Sequence, residues 1–396
     1  MRAYVFTDKA LASEAGRFVW LEIDTEKAQN APFKKQFPVV ALPTMFIIDP
    51  ATERVALRWV GGATVPQLQK ILGDGRTAVR GGKPAATSPV AAKPGAEAKT
   101  AAADLALSRA DGLYGEGKDA EAAAAYREAL DQAPDGWPQY GRTVESLLFA
   151  LYRAEDLEGA AKLARDAYPK LRTTPSAANI AASGLDAALS LPEENPLRKD
   201  LVAALEADAL AVVENPQLQI AADDRSGVYY TLVDARKAAD DSAGARAMAE
   251  RWAKFLEDAA AEAPNAEART VFDGHRLAAY RELGQPERAI PMLEQAERDL
   301  PDDFNPPARL AIVHRDLKQF DAALAASDRA MAKVYGPRKL VVMQTRADIY
   351  KDRGDLASAR KTLEDALQYA NALPEGQRSE GAIKGIQKKL DGLPKS

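Results

Sequence analysis

The amino-acid sequence predicts a mainly α-helical protein, a superhelical array of paired helices that follows a small α/β module. Three observations lead to this fold class. Apolar and small residues recur three and four positions apart over most of the chain, which is the spacing of one helical face. Similar segments recur with a period in the mid-thirties, as in stacked helical hairpins. The first 75 residues instead alternate as strands do. We therefore assign residues 1–75 to the module, 76–100 to a linker and 101–396 to the array.

The module is predicted from apolar and alternating runs that glycine and proline interrupt. After a helical start come a strand at Phe18–Asp24, a helix at Lys27–Phe37, strands at Leu42–Asp49 and Glu53–Val60, and a helix at Val65–Leu72. Thr64 is a suitable N-cap for the last helix, and Pro66 is acceptable in its first turn.

Four motifs in this module are specific. They are Tyr4-Val5-Phe6-Thr7-Asp8, Val19–Asp24, Ala41-Leu42-Pro43-Thr44 and Trp59-Val60-Gly61-Gly62-Ala63. Together with the element order they resemble the C-terminal two-thirds of a thioredoxin fold, closest to the periplasmic electron-relay type. The resemblance implies a cis-proline at Pro43 and a peptide-binding groove bordered by Leu42, Pro43 and Thr44. The Cys-x-x-Cys pair of that family is missing because the chain has no cysteine, so no catalytic residue and no cofactor are assigned.

The same resemblance implies that Met1 is not the original start of the module. In the family a central strand lies between the strands that correspond to Phe18–Asp24 and Thr44–Asp49. Apolar strands without a neighbour are aggregation hazards. We therefore expect the cysteine pair and an export signal to be encoded upstream of Met1, and an upstream frame without that pair would contradict this. A remnant that lost its catalytic half is the alternative.

Residues 76–100 are predicted to be a flexible linker. Glycine, proline, alanine and threonine dominate there, and apolar periodicity is lost. Basic side chains outnumber acidic ones, which is usual for a solvated tether.

From Ala101 onward the sequence predicts about seven helical hairpins. The clearest is Leu340–Asn371, which turns at Gly354-Asp355 because glycine ends one helix and aspartate caps the next. Between residues 175 and 264 the helices are clearer than their register. Glu380–Leu390 is predicted to be a closing helix that covers the last apolar face.

Three hairpins share one template. In steps of 36 and then 34 residues, Ala359 aligns with Ala323 and Ala289, and Tyr350 aligns with His314 and Tyr280. This pattern resembles the tetratricopeptide repeat (TPR) family, whose small, aromatic and closing-proline positions correspond to Ala289, Tyr280 and Pro301. The resemblance implies that function lies in an extended surface and not in a pocket.

A row of basic residues follows the aromatic position of this template. Arg281, Arg315 and Lys351 each come one residue after it, and each is followed by an acid. One interpretation is a ladder of exposed ion pairs between repeats. The other is a basic strip that binds an acidic peptide, so these three residues are candidate partner-binding residues.

Composition and motif content argue against several classes of function. A net charge of -5 and a pI near 5.5 argue against a nucleic-acid partner. No apolar run approaches the length of a membrane span. The sequence shows no metal-ligand spacing, phosphate loop or nucleophile elbow.

Two hypotheses remain: a scaffold that binds a protein or peptide, or a thiol-disulfide oxidoreductase whose cysteine pair lies upstream. The chain as written predicts a cytoplasmic protein, and an upstream export signal would make it periplasmic.

Overall fold

The computed structural model describes residues 5–37, 39, 42–80 and 94–394. This part of the chain is mainly helical and contains one two-stranded sheet, which confirms the mainly α class. The chain divides into two compact units. The first unit comprises residues 1–19 and 38–248, and the second comprises residues 20–37 and 249–396.

The sheet of the first unit consists of β1 (Thr44–Ile48) and β2 (Val55–Val60), which pair antiparallel. Met45 lies opposite Trp59, and the register shifts at Ile48. Both strands were predicted, with slightly longer bounds.

Helix α2 (Val65–Val79) covers one side of this sheet. Its N-terminus has the predicted cap, because the Gln67 N–H donates to Thr64 Oγ1 and the Gln67 side chain accepts from the Thr64 N–H. The helix is amphipathic, and its apolar face buries Leu68 and Ile71 against Ile47 of β1 and Trp59 of β2. The module therefore has a small apolar core of its own.

The predicted strand Phe18–Asp24 is wrong. This segment is irregular and pairs with no described strand, and Val19 and Leu21 are 88% and 73% exposed. A strand is stable only when a neighbour satisfies its main-chain groups, and sequence alternation does not supply that neighbour. The predicted helix that follows is present as a 3-10 turn at Ala28–Asn30 and α1 (Ala31–Gln36).

Helices extend into both ends of the predicted linker. Helix α2 continues to Val79, and the next helix begins at Pro94. The central part of that prediction, residues 81–93, lies outside the described residues.

Residues 94–394 contain seven consecutive helix pairs and a final helix. The pairs are α3 (Pro94–Gly115) and α4 (Asp119–Gln132); α5 (Tyr140–Arg153) and α6 (Leu157–Leu171); α7 (Ala177–Leu189) and α8 (Arg198–Glu214); α9 (Ala222–Ala238) and α10 (Ser242–Ala261); α11 (Ala266–Thr270) with α12 (Asp273–Glu282) and α13 (Ala289–Asp299); α14 (Asn305–Asp316) and α15 (Phe320–Lys333); α16 (Arg338–Arg353) and α17 (Leu356–Ala372). In the fifth pair the first helix is broken between Thr270 and Asp273. The predicted number of hairpins is confirmed.

The turn of the clearest hairpin forms as predicted. Gly354 adopts a φ of +90°, a left-handed conformation that ends α16, and the Asp355 side chain accepts from the Ser358 N–H at 3.0 Å at the start of α17. The template alanines Ala289, Ala323 and Ala359 are fully buried, because only a small side chain fits where the paired helices are closest.

The closing helix is α18 (Glu380–Asp391). It buries Ile386 against Leu363 and Ala366 of α17, and Leu393 joins the same cluster. An exposed apolar face at the end of the helix pairs is thereby covered, as predicted.

Candidate interaction face

The first helices of three consecutive pairs, α5, α7 and α9, lie side by side within the first unit. Residues four and seven positions apart share one side of a helix. Asn179 of α7 contacts Glu145 of α5, Asp186 of α7 lies beside Tyr152 of α5, and the charge of Glu145 acts on Asp224 of α9. Helical spacing places Phe149 with Glu145 and Tyr152 on α5, and it places Tyr230 with Asp223 on α9. The set therefore comprises Glu145, Phe149, Tyr152, Asn179, Asp186, Asp223, Asp224 and Tyr230. We call this set the α5–α7–α9 face.

Helix α5 is held in place by a buried arginine. Arg142 Nη2 donates to Asp111 Oδ2 at 2.6 Å, and the Tyr126 hydroxyl donates to Asp111 Oδ1 at 2.8 Å. The Arg142 guanidinium also lies 4.1 Å from the centre of the Trp59 ring. One side chain therefore joins α3, α5 and β2.

Close packing and a second arginine position α7 and α9. A Cβ atom on Gly184 would lie 2.2 Å from Ala164 Cβ, so only glycine permits α7 to approach α6 this closely. At the start of α9, buried Arg225 donates to the main-chain carbonyls of Val212 and Leu218, at 2.5 and 3.0 Å. These carbonyls at the end of α8 and in the following loop would otherwise lack an intrahelical donor.

The face exposes three aromatic side chains on helices that otherwise bury their large apolar residues. Phe149, Tyr152 and Tyr230 are 45%, 38% and 48% exposed. Aromatic rings bring much apolar surface with few rotatable bonds, which is why they are enriched at protein interfaces. Three exposed rings on α5 and α9 favour contact with another macromolecule over simple solvation.

Carboxylates surround these rings. Glu145 accepts from Asn179 Nδ2 at 3.2 Å, and burial raises the pKa of Glu145. Burial, together with the neighbouring charges of Asp223 and Glu145, raises the pKa of Asp224 to about 6. Burial raises the pKa of the Tyr152 hydroxyl, and the neighbouring Asp186 raises it further. The raised pKa values mean that negative charge is costly here, so a bound cation would be stabilised.

The predicted basic row lies in the second unit. Arg281 Nε donates to Asp316 at 2.7 Å, and Arg315 Nε donates to Asp352 at 2.6 Å, each reaching into the next repeat. Lys351 is exposed, and in the described part of the chain it makes no ion pair. The ion-pair interpretation is confirmed for the two arginines, whereas a role of the row in partner binding stays a prediction.

The predicted groove residues lie at the entrance to β1. Leu42 is 67% exposed, the Leu42–Pro43 peptide bond is cis, and the Pro43 carbonyl accepts from the Gly61 N–H at 2.9 Å. Thr44 begins the strand. A peptide-binding role for Leu42, Pro43 and Thr44 stays a prediction.

Sequence reasoning missed the α5–α7–α9 face. The signal was available on α5, because Phe149 and Tyr152 fall outside the apolar stripe of Leu147, Leu148 and Leu151. Asp223 and Asp224 give no such signal, because they lie in the first turn of α9, where acidic residues are favoured by the helix dipole alone.

Metal-binding and membrane-spanning sites are both missing from the described residues. No group of three or more histidines, aspartates or glutamates there is arranged to hold a metal ion. No helix in that part of the chain combines the length and the apolar character needed to cross a membrane.

The architecture defines a protein built from consecutive helical hairpins. Residues 341–372, which make up most of α16 and α17, match the tetratricopeptide repeat family. No curated protein matches the chain.

The chain also matches solved structures at low sequence identity. A tetratricopeptide repeat protein from Parabacteroides merdae is 12% identical, with 74% of this chain and 100% of that chain covered and a TM-score of 0.46. BtubC from P. vanneervenii is 13% identical, with 77% and 95% covered and a TM-score of 0.32. Yeast Tom70 is 11% identical, with 75% and 93% covered and a TM-score of 0.20.

Proposed function

We propose that this protein is a protein-interaction scaffold and that it binds a partner on the α5–α7–α9 face. The observation that carries the proposal is the row of exposed rings, Phe149, Tyr152 and Tyr230, among carboxylates whose pKa values are raised. Stacked hairpins are well suited to this task, since neighbouring helices align their exposed sides into one extended surface.

The chemistry of the face selects the partner. Lysine and arginine place a cation near the carboxylates while their aliphatic stems lie on apolar surface. Their charged ends also interact favourably with the faces of tyrosine rings. We therefore expect a partner segment that combines basic and apolar residues, attracted by charge complementarity and held by burial of the rings.

Binding should depend on pH through Asp224. A bound cation favours the ionised carboxylate, so binding lowers the pKa of Asp224 from its free value of about 6. By linkage, affinity rises as pH increases through about 6 and falls as the carboxylate is protonated.

Synthetic peptides of equal length test the proposal with the full chain. One peptide carries basic and aromatic residues, a second carries acidic and aromatic residues, and a third is basic without apolar residues. Fluorescence anisotropy should show the tightest binding for the first peptide. Tyr230→Ser and Asp223→Lys should each weaken that binding by about tenfold, the loss expected for one interface contact of 1.4 kcal/mol.

Glu364→Lys is the matched control, because it makes the same kind of charge change at an exposed position of α17 in the second unit. Equal binding of the acidic peptide, or equal weakening by Glu364→Lys and Asp223→Lys, would contradict the proposed face.

Two finer assignments remain proposals. The row Arg281, Arg315 and Lys351 is a candidate second surface for an acidic peptide. The module is proposed to be a redox-inactive thioredoxin-like remnant, supported by the order β1, β2, α2 and by the motif at Trp59–Ala63. The alternative function, thiol-disulfide oxidoreductase, requires the cysteine pair that this chain lacks.

A further inference from the structure

A short acidic segment near the N-terminus contacts two loops of the second unit. The first precedes α16 and leads into Arg338, the first residue of that helix, and the second follows α17. We call the contact the clasp; it joins Asp24, Thr25 and Glu26 on one side to Tyr335, Arg338 and Gln377 on the other.

Each part of the acidic segment is contacted by a different group. Arg338 Nε lies 2.9 and 2.8 Å from the two carboxylate oxygens of Glu26. Gln377 Nε2 donates to the main-chain carbonyls of Thr25 and Glu26, at 3.1 and 2.9 Å.

Asp24 is contacted by a phenol. The Tyr335 hydroxyl donates to its carboxylate. The hydrogen bond to Asp24, together with burial, raises the pKa of Tyr335 to about 12. Burial raises the pKa of Asp24, but hydrogen bonds from Tyr335 and the Glu26 N–H outweigh it and leave that pKa lowered. Around neutral pH the donor and the acceptor therefore both stay in the required protonation state.

Tyr335 and Arg338 together contact two acidic side chains that are separated by one residue. Asp24–Lys27 forms a turn, in which the Lys27 N–H donates to the Asp24 carbonyl at 3.3 Å and the Glu26 N–H donates to Asp24 Oδ1 at 2.9 Å. This turn presents the carboxylates of Asp24 and Glu26 to the phenol and the guanidinium. Thr25, between them, is contacted through its main-chain carbonyl. The contact therefore recognises Asp-x-Glu with little demand on the middle residue.

The clasp is also separable from the core. Residues 21–30 contain no fully buried side chain, and Arg338 is about half exposed. Exposed polar contacts of this kind are weakened by salt and are lost without unfolding the elements that carry them.

We propose that the edge formed by Tyr335, Arg338 and Gln377 is a recognition site for an Asp-x-Glu turn, occupied by Asp24–Glu26 of the same chain as a releasable clasp. The proposal is independent of the α5–α7–α9 face. It assigns an interaction surface to the last repeat and identifies its occupant.

Hydrogen exchange of residues 24–30 in the full chain tests the clasp. Arg338→Glu should speed exchange in this segment by about tenfold, because it places two like charges together. Glu26→Arg should do the same. The double variant Glu26→Arg/Arg338→Glu should restore slow exchange, since the pair is re-formed with its charges swapped.

Lys384→Glu is the control, an exposed change on α18 that should leave the exchange of residues 24–30 unaltered. Unchanged exchange in Arg338→Glu, or no recovery in the double variant, would overturn the clasp. Protection that depends on protein concentration, together with a dimer mass in light scattering, would overturn the same-chain occupant.

A peptide experiment tests recognition separately. In Asp24→Ala/Glu26→Ala the edge is vacated, and a synthetic peptide of residues 22–30 should bind to it. Replacing both acids of the peptide by alanine should abolish binding, whereas replacing its threonine should not. Equal binding of all three peptides, or binding of none, would overturn the Asp-x-Glu specificity.

Discussion

Two arginine–aspartate pairs in this protein have the same length and opposite surroundings. Arg142 and Asp111 of the first unit are 2.6 Å apart, and so are Arg315 and Asp352 of the second. The side chains of the first pair are 10% and 9% exposed, whereas those of the second are 30% and 38% exposed.

The difference shows that position, not distance, determines what an ion pair contributes. A buried pair has lost its hydration, so removing one partner leaves a charge that nothing solvates. When an exposed pair is broken, water solvates the remaining charge, so the loss of stability is small. The first unit therefore uses Arg142 to fix helices, while the second unit repeats exposed pairs along its edge.

Replacing each arginine by methionine tests this comparison most directly. Arg142→Met leaves Asp111 buried and should lower the free energy of unfolding by about 3–5 kcal/mol. Arg315→Met keeps the same shape change at an exposed site and should cost less than about 1 kcal/mol. Urea unfolding followed by circular dichroism and tryptophan fluorescence measures both values, and equal losses would contradict the argument.

A buried acid in the second unit should show how burial acts without an ion pair. Asp273, at the start of α12, is 1% exposed, and burial raises its pKa to about 6 from an ordinary 3.8, despite nearby Arg309, Arg276 and Arg269. The folded state therefore holds this proton more tightly than the unfolded state does. Its contribution to stability is lost as pH rises from about 4 to about 6.

Asp273→Asn should remove that pH dependence. Relative to the unchanged protein, the variant should gain about 3 kcal/mol of unfolding free energy between pH 4 and pH 7, the size of a two-unit shift. Asp355→Asn provides a control of opposite sign, because hydrogen bonds from Ser358 lower the pKa of Asp355. That variant should lose stability relative to the unchanged protein as pH rises toward about 4, and the difference should then stay nearly constant up to pH 7.

Packing in the first unit provides a test that does not involve charge. Gly184→Ala would place a methyl group 2.2 Å from Ala164 Cβ and should cost about 2 kcal/mol through overpacking. Gly227→Ala is its control on α9, where a Cβ atom would meet nothing within 4 Å. This second change should stabilise by about 0.5–1 kcal/mol, since alanine is the better helix residue. Urea unfolding of both variants distinguishes a close contact from a general intolerance of alanine.

Much of the array was predictable because its signals are local. Helical spacing located the pairs, Gly354-Asp355 located a turn, and the recurring alanines located the contact positions. The strand predicted at Phe18–Asp24 failed because a strand depends on a partner that its own sequence does not encode. The Arg142–Asp111 pair was not predictable, because it joins residues 31 positions apart whose meeting depends on how α3 and α5 pack.

The candidate face was harder to predict than the fold. In the amino-acid sequence, residue type does not distinguish an exposed ring such as Phe149 from a buried one. Only the side of the helix on which the ring lies distinguishes them. The basic row was found because it follows the repeat period. That same period explains its ion pairs, since each repeat supplies a base to one neighbour and an acid to the other.

The smallest expected effect concerns this row. Replacing Arg281, Arg315 and Lys351 together by alanine should leave the melting temperature nearly unchanged, because exposed pairs contribute less than about 1 kcal/mol each. Lys351→Ala alone should change stability even less, since Lys351 makes no ion pair within the described residues.

If the row also binds an acidic peptide, the triple variant should capture a synthetic acidic peptide less well, with the difference shrinking as salt is added. Lys351→Ala then separates the two roles, because it removes a binding charge without breaking a ladder pair. Capture that is the same in all three proteins would leave the row with a purely structural role.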